Sequence, residues 1–263
     1  MKMGPGRLKT VLVPLIFLAA LTAGPRAARG GDVLFQYGAM DALLAGYYEG
    51  GFAVGELRRH GDLGLGTFAA LDGEMVVVDG RVYQVKMDGR AYPAPDTEKT
   101  PFAAVTFFRP RQFIPVQAAA SLKELEQVLD TALPGTNVFY ALKAEGRFRE
   151  VTVRSVPRQS RPYPSLARAV AHQAVFKLKD VEGVLVGFRS PALARGVDVP
   201  GYHFHFLTRD RSAGGHVLDF ALENVTVQVD PCRRLELVLP GDREFERLEI
   251  EWDRSRELNQ AER

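Results

Sequence analysis

Pro200-Gly201-Tyr202-His203-Phe204-His205-Phe206-Leu207 and, a few residues on, Gly214-Gly215-His216-Val217-Leu218-Asp219-Phe220 decide how this chain is read. Side chains of an extended strand alternate faces, so His203 and His205 project together while Phe204 and Phe206 take the opposite face, toward a core. The glycine-rich stretch turns the chain, and His216 opens a second apolar strand. Pairing of the two strands as a hairpin closes a triangle of histidines. A His-x-His pair by itself is often two polar side chains facing solvent. The third histidine on a neighbouring strand favours a metal, because three neutral imidazoles in a dry pocket suit Zn²⁺ with a position left open. His60 and His172 lack such company and read as a loop residue and the polar end of an amphipathic segment.

Outward from this hairpin, strand signals dominate. Leu71-Asp72-Gly73-Glu74-Met75-Val76-Val77-Val78-Asp79-Gly80-Arg81-Val82-Tyr83-Gln84-Val85 places Asp-Gly turns at both ends of a β-branched strand. Phe102 to Phe108 is another strand. Asn137–Lys143 and Phe148–Val156 read as a hairpin around Glu145-Gly146, and Val184–Phe188 and Val225–Val229 read as further strands. Helical spacing marks Ala39–Tyr48 and Ser165–His172. Ser121 followed by Glu124 has the spacing of a capping box at the start of a helix to Leu129. Arg243–Arg263 is charged and helical toward its end. Strands without strict βαβ alternation imply an α+β fold, two lobes of mixed or antiparallel sheet with a few short helices. The expected division is an N-terminal lobe over residues 31–150 and a β-rich lobe over 151–263 carrying the histidines and a C-terminal tail.

Bulk composition narrows the function. The chain has 263 residues and a formal net charge of +2, which gives no case for nucleic acid. Its densest basic tract, Arg154 to Arg168, is broken by Pro157, Pro162 and Pro164. Cys232 is the single cysteine, so an intramolecular disulfide, a Cys-rich zinc site and a CxxC redox centre are all excluded. Lys2, Arg7 and Lys9 precede the apolar run Val11–Leu21 and then small residues, the pattern of a secretory signal peptide over residues 1–30. An uncleaved anchor is the competing reading. The run is short for a membrane span and carries Pro14, so no membrane attachment is expected after cleavage.

No GxSxG elbow, Walker A loop, dinucleotide GxGxxG or HExxH helix is present. The histidine triangle is therefore the one strong chemical signal, and Lewis-acid chemistry is what it implies. Glu74, at the root of a buried strand, is a candidate desolvated carboxylate, a solvated turn residue being the alternative. Arg154, alternating with Val151 and Val153, is either an anion clamp or a surface residue; Arg158 and Arg161 share that ambiguity.

Several strings together resemble bacterial acetolactate decarboxylases: His60-Gly61-Asp62-Leu63-Gly64-Leu65-Gly66-Thr67-Phe68, Leu71-Asp72-Gly73-Glu74, Thr100-Pro101-Phe102, Val156-Pro157-Arg158-Gln159, Pro162-Tyr163-Pro164, Gly187-Phe188-Arg189-Ser190-Pro191 and the two histidine strings. The resemblance runs in order from about Leu34 to Val229, with Ser190 where a threonine is common. It implies a two-lobed α/β arrangement of mixed sheets and a homodimer. It makes His203, His205 and His216 zinc ligands, Glu74 an active-site carboxylate and Arg154 an active-site arginine. It also implies a glutamate from the C-terminal tail near the metal, for which Glu262 is the best match, with Glu257 and Glu251 close by. The implied reaction takes (2S)-2-acetolactate to (R)-acetoin and CO₂. The substrate's own ketone is the electron sink, in keeping with the absence of any pyridoxal phosphate or thiamine diphosphate motif. Rival readings are another three-histidine metalloenzyme (a hydrolase or a cupin-like oxygenase) and a non-catalytic exported metal-binding module. The leader pattern implies export to the periplasm or medium; cytoplasmic residence is the alternative, because acetolactate is produced inside cells.

Overall fold

The computed structural model describes Met1, residues 32–250 and residues 253–262. The leader read over residues 1–30 lies, Met1 apart, outside the described residues, as does Glu251. The elements begin with β1 (Val33–Tyr37), α1 (Met40–Leu44), β2 (Phe52–Ala53), α2 (Val54–Leu57) and β3 (Leu63–Thr67). Next come β4 (Glu74–Val78), β5 (Arg81–Val85), β6 (Ala91–Pro93), β7 (Lys99–Thr100), β8 (Ala103–Thr106), β9 (Gln112–Ala119) and α3 (Leu122–Ala132). Then follow β10 (Phe139–Ser155), α4 (Leu166–Val170), β11 (Ala174–Ser190), β12 (Gly201–Thr208) and β13 (Gly214–Cys232). The chain finishes with β14 (Arg234–Val238), α5 (Arg243–Glu246) and α6 (Ser255–Glu262). Among the described residues no helix is long and apolar enough to cross a membrane.

The fold is α+β. A seven-stranded sheet has the order β14-β1-β8-β3-β4-β5-β6; β14 runs parallel to β1 and its other pairings are antiparallel. At the β4–β5 turn Asp79 and Gly80 both have positive φ, 52° and 72°, which a two-residue turn of matching twist requires and which the Asp-Gly dipeptide supplies. The second sheet is antiparallel. In it β10 pairs with both β11 and β13, β11 with β12, and β12 with β13, so these four strands close on themselves while β9 lies outside on β13.

One expectation is corrected here. Glu145-Gly146 is no hairpin: β10 runs unbroken through it, with Glu145 opposite Val184 and Gly146 opposite Gly183. Long strands bent by irregularities serve a closed sheet better than short hairpins, and β10 carries register shifts against β13 on both sides of Phe148. Residue 150, where the two lobes are expected to divide, lies within β10; residues 112–232 carry the second sheet, and β14 returns to the first.

Core patterning follows. Val76 and Val78 of β4 meet Ala141, Val184, Val186 and Leu207 between the two sheets, while Met75 and Val77 pack on the other face with Phe35, Val54 and Leu57. Burial on both faces explains the unbroken apolar run Met75–Val78. Helix α3 covers the closed sheet with Leu125 and Leu129, and Ser121 caps it by accepting the Glu124 amide at 3.2 Å. A third cluster gathers Met40, Leu43, Leu71, Phe102, Leu166 and Ala261, joining α1, α4 and α6 beside the histidines.

Candidate metal centre

The histidines are aimed by strand geometry. Phe204 and Phe206 face the core with Val217 and Phe220, which puts His203 and His205 on the other face of β12. Val217 and Phe220 both point inward although three residues apart, which a regular strand does not allow. A register shift resolves this: Thr152 lies opposite Asp219, but Val153 lies opposite Val217. The one-residue slip at Leu218 turns His216 onto the face of His203 and His205. His205 and His216 are direct cross-strand partners, and His216 is in turn opposite Arg154 of β10. Gly215 sits at φ +143°, and a Cβ there would stand 2.4 Å from the Arg154 carbonyl oxygen, so only glycine lets β13 close this near to β10.

Ring centroids are 5.1 Å apart for His203–His205, 5.0 Å for His203–His216 and 5.4 Å for His205–His216. One ligand nitrogen from each lies within 4.8 Å of the others, and all three residues are buried. His205 Nδ1 is 2.7 Å from the Met75 carbonyl. A carbonyl only accepts, so Nδ1 carries the proton and Nε2 presents a lone pair. Burial, reinforced by the Arg154 charge, pushes His203 down to about 3 and holds His205 and His216 well below the ordinary histidine range. All three are thus held in the neutral form that a metal ligand requires.

Three other groups enter the same space. Glu74 is the first residue of β4, set there by the positive-φ turn at Gly73. Its Oε1 accepts from Arg154 Nη1 at 3.0 Å, and its Oε2 is 3.6 Å from His205 Nε2. Burial raises Glu74 to about 7, with Glu262 adding to the rise and Arg154 opposing it. Arg154 Nη2 donates to the Ala261 carbonyl at 2.8 Å and lies 3.9 Å from Glu262 Oε1. Glu262 Oε2 lies 3.4 Å from His203 Nε2 and 3.7 Å from His216 Nδ1, and burial raises its carboxyl too. Thr67, Met40, Leu43, Leu71, Phe102 and Leu166 line the remaining walls.

The donor set fits a zinc ion. His203 Nε2 and His216 Nδ1 stand 3.1 Å apart, close to the edge of about 3.3 Å expected between two nitrogens on one tetrahedral Zn²⁺. His205 Nε2 and Glu262 Oε2 are buried without a hydrogen-bond partner. Lone pairs that converge unpartnered in a dry pocket repel, and a cation among them removes the penalty.

All six singled-out residues, His203, His205, His216, Glu74, Arg154 and Glu262, converge here. Glu257 does not; it pairs with Arg254 at 3.0 Å. His60 stacks on Phe35 at 3.7 Å, and His172 is exposed after α4. Arg158 and Arg161 bind the exposed rim, Arg158 near Asp72 and Arg161 on Glu49 and Glu244. Sequence reading had not singled out the apolar wall, although the periodicity of α1 marks Met40 and Leu43 as one face.

The alpha-acetolactate decarboxylase family model matches residues 34–251, a span that holds the three histidines, Glu74 and Arg154. Alpha-acetolactate decarboxylase of Methanosarcina mazei is 47% identical over 232 residues, 88% of this chain and 81% of its own length. That of Klebsiella aerogenes is 43% identical over 214 residues, 81% of this chain and 82% of its own. The crystal structure of alpha-acetolactate decarboxylase from Bacillus subtilis strain 168 superposes with a TM-score of 0.85 at 36% identity, covering 88% of this chain and 99% of that one. Agreement in sequence along nearly the whole described chain, and in fold with a solved carboxy-lyase, leads to one conclusion: the chain belongs to the alpha-acetolactate decarboxylase family.

Proposed function

We propose that the chain converts (2S)-2-acetolactate to (R)-acetoin and CO₂ with a zinc ion held by His203, His205 and His216. The reading is carried by one observation: three neutral buried imidazoles share a dry space with one guanidinium and two carboxylates, opposite an apolar wall. Zn²⁺ bound there supplies Lewis-acid polarisation of the substrate oxygens. Arg154 has the charge and the inward aim to orient the substrate carboxylate before it leaves as CO₂. The electron pair released moves into the neighbouring ketone, and the resulting enediolate takes a proton on carbon. Glu74 and Glu262 are the groups placed to hold that proton, and delivery from one of them alone gives a single face. Met40, Leu43, Leu71, Phe102 and Leu166 exclude water and receive the substrate's methyl groups. A homodimer and export of the chain beyond Gly30 belong to the same proposal. The first is supported by the family resemblance, the second by the basic and apolar segments that precede Gly30.

Chiral acetoin and CO₂ are measured from racemic acetolactate with residues 32–263, before and after strong chelation and after zinc is restored. Loss on chelation and return with zinc support the proposal. Full zinc binding without CO₂ release removes the decarboxylase and leaves another three-histidine metalloenzyme as the reading.

A further inference from the structure

Helix α6 is short and mostly polar, with only Leu258 and Ala261 packed on Met40, Leu43, Leu166 and Val170. Eight residues of this composition do not hold a helix by themselves. Yet its last described turn carries Glu262 to the histidines, so something must fix its root. Asp253 Oδ1 caps the first turn, accepting from the Ser255 amide at 3.0 Å. Arg254 supplies the first helical acceptor, its carbonyl taking the Leu258 amide at 2.9 Å. Its side chain turns inward rather than to solvent and is 10% exposed, with Nη2 3.0 Å from Glu257 Oε2 one turn along. The same charge acts on Asp41 of α1, where it opposes the rise that burial imposes on that carboxyl. Nε and Nη1 of Arg254 are buried and have no hydrogen-bond partner among the described residues. A guanidinium is not left in that state on an ordinary surface helix, where it would turn to water.

We propose that Arg254 is the positioning residue of Glu262: buried beside Glu257, it fixes the root of α6 so that Ala261 and Glu262 reach the metal centre about 12 Å along the helix. The proposal rests on the reading that Glu262 acts at that centre. The helix is then pinned by a guanidinium at each end, Arg254 at its root and Arg154 on the Ala261 carbonyl at its tip. Loss of Arg254 leaves the root of α6 with no charged anchor, and only Leu258, Ala261 and the Arg154 contact at the tip to hold it.

Hydrogen–deuterium exchange and steady-state kinetics of the zinc-loaded full chain test this with R254A, R254K, E262Q and the double variant R254A/E262Q. R254A is expected to speed exchange of the α6 amides at least about tenfold while β12 and β13 keep their protection. It is expected to lower kcat about tenfold to a hundredfold with little change in KM, as misplacement of a group at the reacting centre does. R254K restores part of both. Adding E262Q to R254A costs little more, because the two act as one unit. Glu257→Gln moves both readouts in the same direction and serves where R254A does not fold. Unchanged α6 exchange in R254A overturns the proposal, and so does full multiplication of the R254A and E262Q effects. Absence of CO₂ release by the unaltered protein removes the decarboxylase reading instead, and α6 exchange then decides the anchor by itself.

Discussion

Arg154 and His216 stand directly opposite each other across the β10–β13 ladder, so one strand pair fixes both the guanidinium and a proposed metal ligand. Two constraints hold that register. The slip at Leu218 sets which face His216 takes, and Gly215 allows the backbone of β13 to approach Arg154. From this position Arg154 reaches in two directions, to Glu74 from the first sheet and to Ala261 from the tail. The centre is thus assembled from three parts of the fold through one side chain.

Arg154→Met therefore removes a shared counter-charge and leaves Glu74 and Glu262 as two carboxylates in a buried site. Breaking a buried pair of this kind costs about 3–5 kcal/mol. The expected result is a destabilisation of about 3 kcal/mol in urea unfolding and a loss of CO₂ release beyond about a hundredfold. Arg154→Lys keeps the charge but cannot fork toward both partners, so stability recovers more than activity does. Activity restored fully by lysine would show that charge, not bidentate geometry, is what the site requires.

Much of this centre was legible in the chain. The alternation at His203–Phe206 and the glycine turn before His216 place three imidazoles on one face by strand geometry alone. Glu74 is marked by the Asp72-Gly73 turn, but its burial comes from the second sheet, which local sequence does not encode. The resemblance made Glu262 the best match in the tail, but local sequence does not say which turn of the helix reaches the site. Burial of Ala261 on α1 and α4 carries Glu262 to the histidines and leaves Glu257 on Arg254. Gly146 misled for a related reason: Glu-Gly suits a turn, and only pairing with β11 keeps that segment extended, while its ladder to β13 is interrupted between Ala144 and Phe148.

Asp198 provides a pH test away from the proposed ligands. Its carboxylate is buried, accepting from Ser190 Oγ at 2.5 Å and from the Val199 amide at 2.8 Å. Burial raises its carboxyl, with the Glu262 charge adding to the rise and the two hydrogen bonds opposing it. The folded state thus holds this proton more tightly than the unfolded chain does. The associated stability is fully present below the ordinary aspartate range, about pH 4, and is lost as pH rises through the raised folded value. Asp198→Asn removes the titration and can still accept from the Val199 amide. Melting at pH 8 is expected to equal or exceed that of the unaltered protein, with a smaller difference between pH 5 and pH 8. A marked loss at pH 8 would mean that the ionised carboxylate is needed by Ser190.

The apolar wall makes a prediction about substrate size. Leu43, Leu71 and Leu166 form part of the pocket's apolar wall, and all three are buried. Leu71 is a poor place to cut, because its φ of 53° lies where a β-branched side chain is strained. Leu43 sits in α1, where valine is tolerated, and Leu43→Val removes one methylene at a cost of about 1 kcal/mol. One methylene in an apolar pocket changes discrimination by roughly tenfold or more. The variant is therefore expected to shift the ratio of kcat/KM for the 2-ethyl homologue over acetolactate upward by about tenfold, measured by competition between the two substrates. An unchanged ratio would place the substrate's alkyl group against Phe102 or Leu166 instead, and the same substitution at Leu166 then becomes the one that moves it.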